Sequence, residues 1–508
     1  AVAPTYFAPG NNEYYTCSVC GKVYKDAEGL TETTVADETL AMLSSTASGK
    51  FGRDDCLSWV LTEDGTLTIS GSGMIPNYSE TITAPWYAKR MKITSVVVGS
   101  GVTYVGSYAF NACLKLTSVD LPAGVIDIGR FAFQNCSKLT SVKIPASVKS
   151  IDQGAFYGCT GLESVTLPEN AYIGSRNERG YSDKGVFEAC TGLTSVTVLA
   201  GARFTQNTFA GCTSLTSISI PESMTEIPHG SFKGCTGLTS VTIPKSVTKI
   251  ANFAFSGCTS LTGVTIPDGV TSVGHRAFEE CSGLTNVHIP DSVVSIGTYA
   301  FYRCSGLKSI RLPEGITSIG QYTFYGCASL ESVTIPDGVT SIDEDAFYDC
   351  AGMVNVHIPE GVVSIAWGAF ANCSSLKSVI IPETVTSIGS SAFSGCTALT
   401  SVNIPEGIAS IESGTFEDCS SLVSISIPET VESIGNRAFS GCRSLTNVTI
   451  PEGVTSISDS VFSGCSGLTS VSIPESVTGI GDSAFSGCSS LTGITVPKNV
   501  TSIGRNAF

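Results

Sequence analysis

Histidine is almost missing from this chain, with four in 508 residues. No GxSxG, GxGxxG or Walker-type glycine loop supplies another catalytic framework. Serine and aspartate are abundant but suit turns and exposed strand positions, so no catalytic constellation stands out and the sequence reads as non-enzymatic, with no cofactor and no metal site. Charge is also sparse, at 14% of residues, and what there is leans acidic, to a formal net charge of −16. Nucleic acid is a poor partner for such a surface, because phosphate binding needs clustered lysine and arginine to release counterions. No run of eighteen apolar residues occurs, so no segment reads as a membrane span. The chain opens AVAPTYFAPG, without a methionine and without a charged, apolar leader. Such an opening fits the trimmed product of a longer precursor whose signal peptide has been removed.

What is abundant is repetition. Seventeen times a cysteine follows a phenylalanine by three residues, and from Cys212 to Cys488 the cysteines recur every 23 residues. A length of 508 residues would otherwise suggest several globules; a fixed period of this size instead means a solenoid. An eighteenth copy stops at Phe508. Because an uncapped solenoid end exposes core, the expectation is that the native chain continues or that this end is covered.

One unit, from Leu261 to Gly283, reads LTGVTIPDGVTSVGHRAFEECSG. Leu261, Val264 and Ile266 alternate as a short strand with those side chains inward. Proline at the seventh position, present in sixteen copies, ends the strand because it has no N–H for a ladder, and Asp268-Gly269 is turn chemistry. Val270 and Val273 make a second extended segment, Gly274 permits a corner, and HRAFEEC makes one tight helical or 3₁₀ turn that sends Phe278 and Cys281 inward. Stacked coils place equivalent residues about 4.7–4.9 Å apart, longer than the Cβ separation of roughly 3.8 Å in a disulfide. The seventeen repeated cysteines are thus expected to be reduced, buried and inert.

The pattern LTSVTIPxxVTSIGxxAFxGCxx, from Leu116 to Phe508, resembles the BspA-type leucine-rich repeat of bacterial surface proteins. Around residues 51–98, CLSWVLTEDGTLTISGSGMIPNYS followed by APWYAKRMKITSVVVGSGVT is similar to the cap that precedes such repeats in proteins of gut bacteria. The resemblance implies a β-rich solenoid, a right-handed leucine-rich-repeat superhelix, exported to the cell surface or secreted for adhesion or protein binding. The corresponding division is an N-terminal segment at 1–50, a β-rich cap at 51–98 and the solenoid at 99–508. Host or bacterial surface proteins are the expected partners, with a glycan-binding surface or a passive spacer as the alternatives.

NNEYYTCSVCGKVYKDAEGLTE resembles a small module found beside these repeats, with Tyr6 departing from the module's pattern. Cys17 and Cys20 have zinc-knuckle spacing, but CxxC is half of a four-ligand site and only Cys56 is otherwise near. Export would favour a disulfide among Cys17, Cys20 and Cys56 over metal.

Departures from the repeat mark candidate binding residues. His288, Arg311 and His357 replace the usual serine or threonine on the outward strand face. Three repeats separate the two histidines, roughly 14 Å at the spacing of stacked strands, too far for a dyad. Tyr299, Tyr302, Tyr322, Tyr325, Tyr348 and Trp367 add rings where the regular phenylalanines already fill the core. These six are expected to be largely exposed and surplus to folding, so that losing Tyr302, Tyr325 and Tyr348 leaves thermal unfolding nearly unchanged. Exposed tyrosine and tryptophan suit recognition. An acidic residue also follows the strand-ending proline in ten consecutive copies, from Asp268 to Glu475, which reads mainly as a solvated turn. The rival location is the insertion at 175–185, locally basic through Arg176, Arg179 and Lys184 and carrying Tyr181, since solenoid insertions emerge as loops.

Overall fold

Residues 23 apart pair as neighbours on parallel strands: Ser309 with Ser332, Ile310 with Val333, Arg311 with Thr334. Each repeat is therefore one coil, and the fold is a parallel β-solenoid with almost no helix. The computed structural model describes residues 46–174 and 184–508, together with the backbone of short strands within the first 45 residues. It divides into two compact units, residues 1–162 and 163–508.

The first unit grows from a β-meander. Strand Ser45–Phe51 pairs antiparallel with Leu57–Thr62, which pairs antiparallel with Thr66–Met74. The front half of that last strand pairs in parallel with Ser95–Val98 and its back half with Gly101–Val105. One strand thereby founds two walls at once. Where it passes from one wall to the other, Gly71 has φ +104° and its missing Cβ would collide with the Cys56 carbonyl. Trp86 is fully buried and donates Nε1–H to the Ala109 carbonyl at 2.8 Å. Its ring stacks on Phe110 at 5.7 Å and meets the edge of Phe51 at 5.1 Å. An indole thus closes the foot of the Phe110, Phe133 and Phe156 column.

In the second unit each coil has three walls. The strand wall includes Gly263–Thr265, Asn286–His288, Ser309–Arg311, Ser332–Thr334, Asn355–His357, Ser378–Ile380 and Ser401–Val402, joined in that order. Across the stack, two-residue strands such as Ser318–Ile319, Ser341–Ile342 and Ser364–Ile365 form the second wall. Between them the proline turn closes, with Val270 N–H donating to Pro267 O at 3.1 Å. Gly274 does not need its freedom of φ. A side chain there would strike the backbone of Ala251 and Asn252, so glycine is required by close approach of successive coils.

The third wall is built from turns. The N–H groups of Ala277, Glu279 and Cys281 bond three residues back, as in a 3₁₀ turn, while those of Arg276, Phe278 and Glu280 bond to Thr298, Ala300 and Tyr302 of the next coil. This alternation goes with left-handed residues at both ends of the segment, Arg276 at φ 54° and Glu280 at φ 57°. The same two positions are left-handed in Tyr299 and Arg303 of the following coil. No helical run can continue through such a segment.

Leu261, Val264, Ile266, Val270, Val273, Ala277, Phe278 and Cys281 are all buried. The phenylalanines stack face to face; Phe278, Phe301 and Phe324 succeed one another at 5.4 and 5.5 Å with planes 2° apart. All seventeen repeated cysteines are free and buried. Their sulfurs do more than fill space. Cys281 Sγ donates to the Phe255 carbonyl of the preceding coil at 3.1 Å, and Cys304 Sγ to Phe278 O at 3.1 Å. Each such oxygen also accepts its own coil's Cys N–H, so both lone pairs are used. Burial pushes the Cys281 and Cys327 thiols up to about 12.

Candidate functional site

The six added rings lie on the turn wall, and they are not laid out as exposed plates. Tyr299 and Tyr322 stack at 4.6 Å with planes 12° apart. Tyr302 stacks on Tyr325 at 5.0 Å and Tyr325 on Tyr348 at 4.7 Å, the latter pair 6° from parallel. Tilted contacts join the two columns, Tyr299 with Tyr302 at 5.5 Å and Tyr322 with Tyr325 at 5.9 Å. All five tyrosines are half-buried. The expectation of largely exposed rings is corrected for them: a 23-residue spacing superposes the side chains at coil distance, where parallel aromatic faces attract. Most of their faces are covered by another ring or by Arg276, and Tyr348 has a ring on one face alone. Trp367 alone is exposed, at 48%, because it occupies a different position in its coil, two residues before the buried Ala369.

Polar groups brace the columns. The Arg276 guanidinium lies 4.5 Å over Tyr299 while its Nη1 pairs with Glu279 at 2.9 Å. The His275 ring meets Tyr299 edge-on at 5.5 Å and shares a 2.6 Å hydrogen bond with the Thr298 hydroxyl. Burial, with Arg276 nearby, lowers the affinity of that imidazole for a proton. The Tyr322 hydroxyl donates to Glu344 Oε1 at 2.9 Å, and this bond to a carboxylate pushes the phenol up to about 12. Beside it Asp345 is 4% exposed, with an Oδ1 that has no hydrogen-bond partner. Burial, then the neighbouring Glu344 charge, raises its carboxyl to about 6.

His288, Arg311 and His357 project from the strand wall, and Arg311 and Thr334 stand between the two histidines in the parallel register. Among the described residues no hydrogen bond, ion pair or ring contact joins this group to the tyrosines. Arg311 is engaged where it stands: Nη1 and Nη2 reach Asp291 Oδ1 and Oδ2 at 2.9 and 3.4 Å, and Nη2 reaches Glu314 Oε1 at 3.1 Å. It ties together successive members of the acidic row that follows the prolines. That row also couples to itself, with Glu406 N–H donating to Glu383 Oε2 at 3.1 Å. The Arg311 guanidinium holds the Asp291 carboxyl below its usual range.

The outward threonines have a structural use too. Thr239, Thr262 and Thr285 each donate a hydroxyl to the carbonyl 23 residues earlier, at 3.0–3.4 Å. In the insertion, Arg176, Arg179 and Tyr181 lie outside the described residues. Lys184 is described and pairs with Glu188 at 3.0 Å. Cys17 and Cys20 likewise lie outside the described residues, while Cys56 is an exposed free thiol. Among the described residues no group of three His, Cys, Asp or Glu could hold a metal ion.

Sequence reasoning missed Glu344 and Asp345 as part of this wall. A signal was available: DED at 343–345 interrupts positions that are aromatic or neutral in the two coils before it. The coil that follows Tyr348 carries Ala371 where its three predecessors carry tyrosine, and Gly368 where they carry Asp345, Tyr322 and Tyr299.

A parallel solenoid built on a Leu/Phe/Cys core defines a leucine-rich-repeat scaffold. The model of the BspA type leucine rich repeat region matches residues 80–198, 181–308, 271–400 and 386–508, and the chain belongs to that family. Among solved structures, a leucine-rich repeat protein from Bacteroides ovatus is 30% identical, over 79% of this chain and 95% of that one, with a TM-score of 0.55. A leucine rich cell surface protein from Faecalibacterium prausnitzii is 27% identical over 84% of this chain and 95% of its own, with a TM-score of 0.30. No curated protein matches the sequence significantly. No helix among the described residues is long and apolar enough to cross a membrane.

Proposed function

We propose that this chain is a non-enzymatic scaffold of the bacterial cell surface or secreted space, which binds a protein partner and so mediates adhesion. The observation that carries this reading is the tyrosine wall. Half-buried, mutually stacked rings present hydroxyls and edges on a stiff frame, and side chains held in this way lose little entropy on contact with another protein. A glycan reading draws less support, because sugar rings stack on aromatic faces and most of these faces are already paired. The strand-wall residues His288, Arg311 and His357 and the 175–185 insertion are the rival surfaces.

The experiment is a screen of the purified chain against arrayed host and bacterial surface proteins, run beside a glycan array. A protein hit that weakens at least tenfold on Trp367→Ala supports the reading and places contact at the turn wall. Glycan hits alone, or a protein hit unaffected by Trp367→Ala but lost on His357→Ala, would overturn it as stated.

A further inference from the structure

The two tyrosine columns end one coil apart, and neither continues beyond the coil of Tyr348. The Tyr299 and Tyr322 column is followed by Asp345 and then Gly368; the Tyr302, Tyr325 and Tyr348 column is followed by Ala371. Tyr348 therefore stacks on Tyr325 with one face, and no ring lies over the other. On that side the neighbouring coil offers Gly368 and Ala371, with Trp367 standing exposed one residue before the first and four before the second. A step is left in the turn wall, bounded by one uncovered tyrosine face and floored by residues with little or no side chain.

The charge around this step is of one sign. From Leu330 to Ser375, two whole coils, there is no lysine or arginine, and there are seven carboxylates: Glu331, Asp337, Asp343, Glu344, Asp345, Asp349 and Glu360. Seven of the sixteen net negative charges thus fall in 46 residues. Four of the seven, Asp343, Glu344, Asp345 and Asp349, are on the turn segment itself. The second observation is Asp345: its Oδ1 is turned toward Gly368, where any Cβ would collide with it, and it has no donor. Uncompensated buried charge is costly unless something nearby balances it.

We propose that the step at Tyr348, Gly368, Ala371 and Trp367 receives a basic side chain, arginine or lysine, of a protein partner. The cation lies against the free Tyr348 face with Trp367 beside it, an arrangement that stabilises guanidinium and ammonium groups. Glu344 and Asp349 flank it, and Asp345 contributes field from beneath Gly368 rather than a direct contact. The partner is thus a protein with an exposed basic segment, complementary to a stretch of the solenoid that carries carboxylates and no lysine or arginine. This rests on the scaffold reading above and names the chemistry of its partner.

The probe is an N-acetylated, C-amidated peptide alternating arginine and glycine, followed by isothermal titration and by tryptophan emission. Trp59 and Trp86 are buried, so a change on binding that vanishes in Trp367→Phe reports on this step. Glu344→Gln/Asp345→Asn/Asp349→Asn and, separately, Trp367→Ala should each weaken binding at least fivefold. The control Glu406→Gln/Glu429→Gln/Glu452→Gln removes equal charge elsewhere and should stay within twofold of the native chain. Trp367→Ala leaves the tyrosine stacks intact, which keeps the test valid if the triple variant fails to fold. Equal losses in the triple variant and the control would mean bulk attraction and overturn the proposal, as would emission that does not respond. A protein partner from the screen that binds native and step variants alike would uphold the scaffold and sink only this inference.

Discussion

Replacing Tyr325 by alanine separates packing from exposure on the turn wall. Its ring lies between Tyr302 at 5.0 Å and Tyr348 at 4.7 Å, with Tyr322 tilted against it at 5.9 Å. Aromatic pairs contribute about 0.5–1.5 kcal/mol each beyond area burial, so the two stacked pairs account for about 1–3 kcal/mol. Loss of half-buried ring area adds about 1 kcal/mol. The expected destabilisation is about 2–4 kcal/mol, read from urea melts. Because coils of a solenoid touch mainly their neighbours, hydrogen exchange should accelerate chiefly between residues 299 and 350. Trp367→Ala is the comparison; an exposed ring without a stacking partner should cost no more than about 0.5 kcal/mol. If Tyr325→Ala melts with the native chain, or if Trp367→Ala costs as much, the columns do not contribute in the way their geometry indicates.

Three other outcomes follow from the same wall and core. Thiol titration of the native chain should find Cys56 reactive, along with Cys17 and Cys20 where these are reduced, while the seventeen core thiols respond only in denaturant; rapid modification of several core thiols would contradict their burial. Asp345→Asn should stabilise the chain at neutral pH. The folded carboxyl, raised to about 6 from 3.8, keeps its proton between those values while the unfolded one has lost it, so the native chain loses stability as pH rises from 4 to 6. That shift corresponds to at most about 3 kcal/mol by the free energy of a pKa unit, and solvent screening reduces it to about 1–2 kcal/mol. The variant's advantage should be near zero at pH 4 and full at pH 7; an advantage independent of pH would refute the assignment. Arg311→Ala should leave the melting curve close to native at physiological salt, since its ion pairs are exposed, and a large loss of stability would show that they are not.

The repeat made much of this legible in advance. Leu261, Phe278 and Cys281 announce their burial because their counterparts recur every 23 residues, and a period of that length has few physical solutions. The stacking of Tyr302, Tyr325 and Tyr348 was open to the same reasoning. Their spacing is also 23, and side chains that superpose cannot all face water. What the sequence conceals is backbone sign and pairing across coils. Arg303 and Gly326 occupy equivalent left-handed positions at φ 55° and 70°, yet only glycine signals it. Arg311 looked like a free cation on a strand until the fold brought Asp291, twenty residues back, to its guanidinium. Asp345 looked like one more solvated carboxylate, and its burial depends on a glycine in the next coil.

The thiol-to-carbonyl bond has a consequence for how such a chain can change length. From Cys212 to Cys488 each Cys Sγ addresses a phenylalanine oxygen in the coil before it, so each of these coils offers the same oxygen at the same place. Excising 23 residues anywhere between Cys212 and Cys488 brings a new thiol to the vacated carbonyl and leaves the junction chemically indistinguishable from its neighbours. Coils are thus interchangeable bricks as far as the core is concerned, and gain or loss of one is nearly silent to folding. Their outer faces are not interchangeable: removing the coil from Met353 to Ser375 would press the coil of Ser391 and Ser394 against Tyr348. Length can drift in such a lineage while the order of faces carries the information.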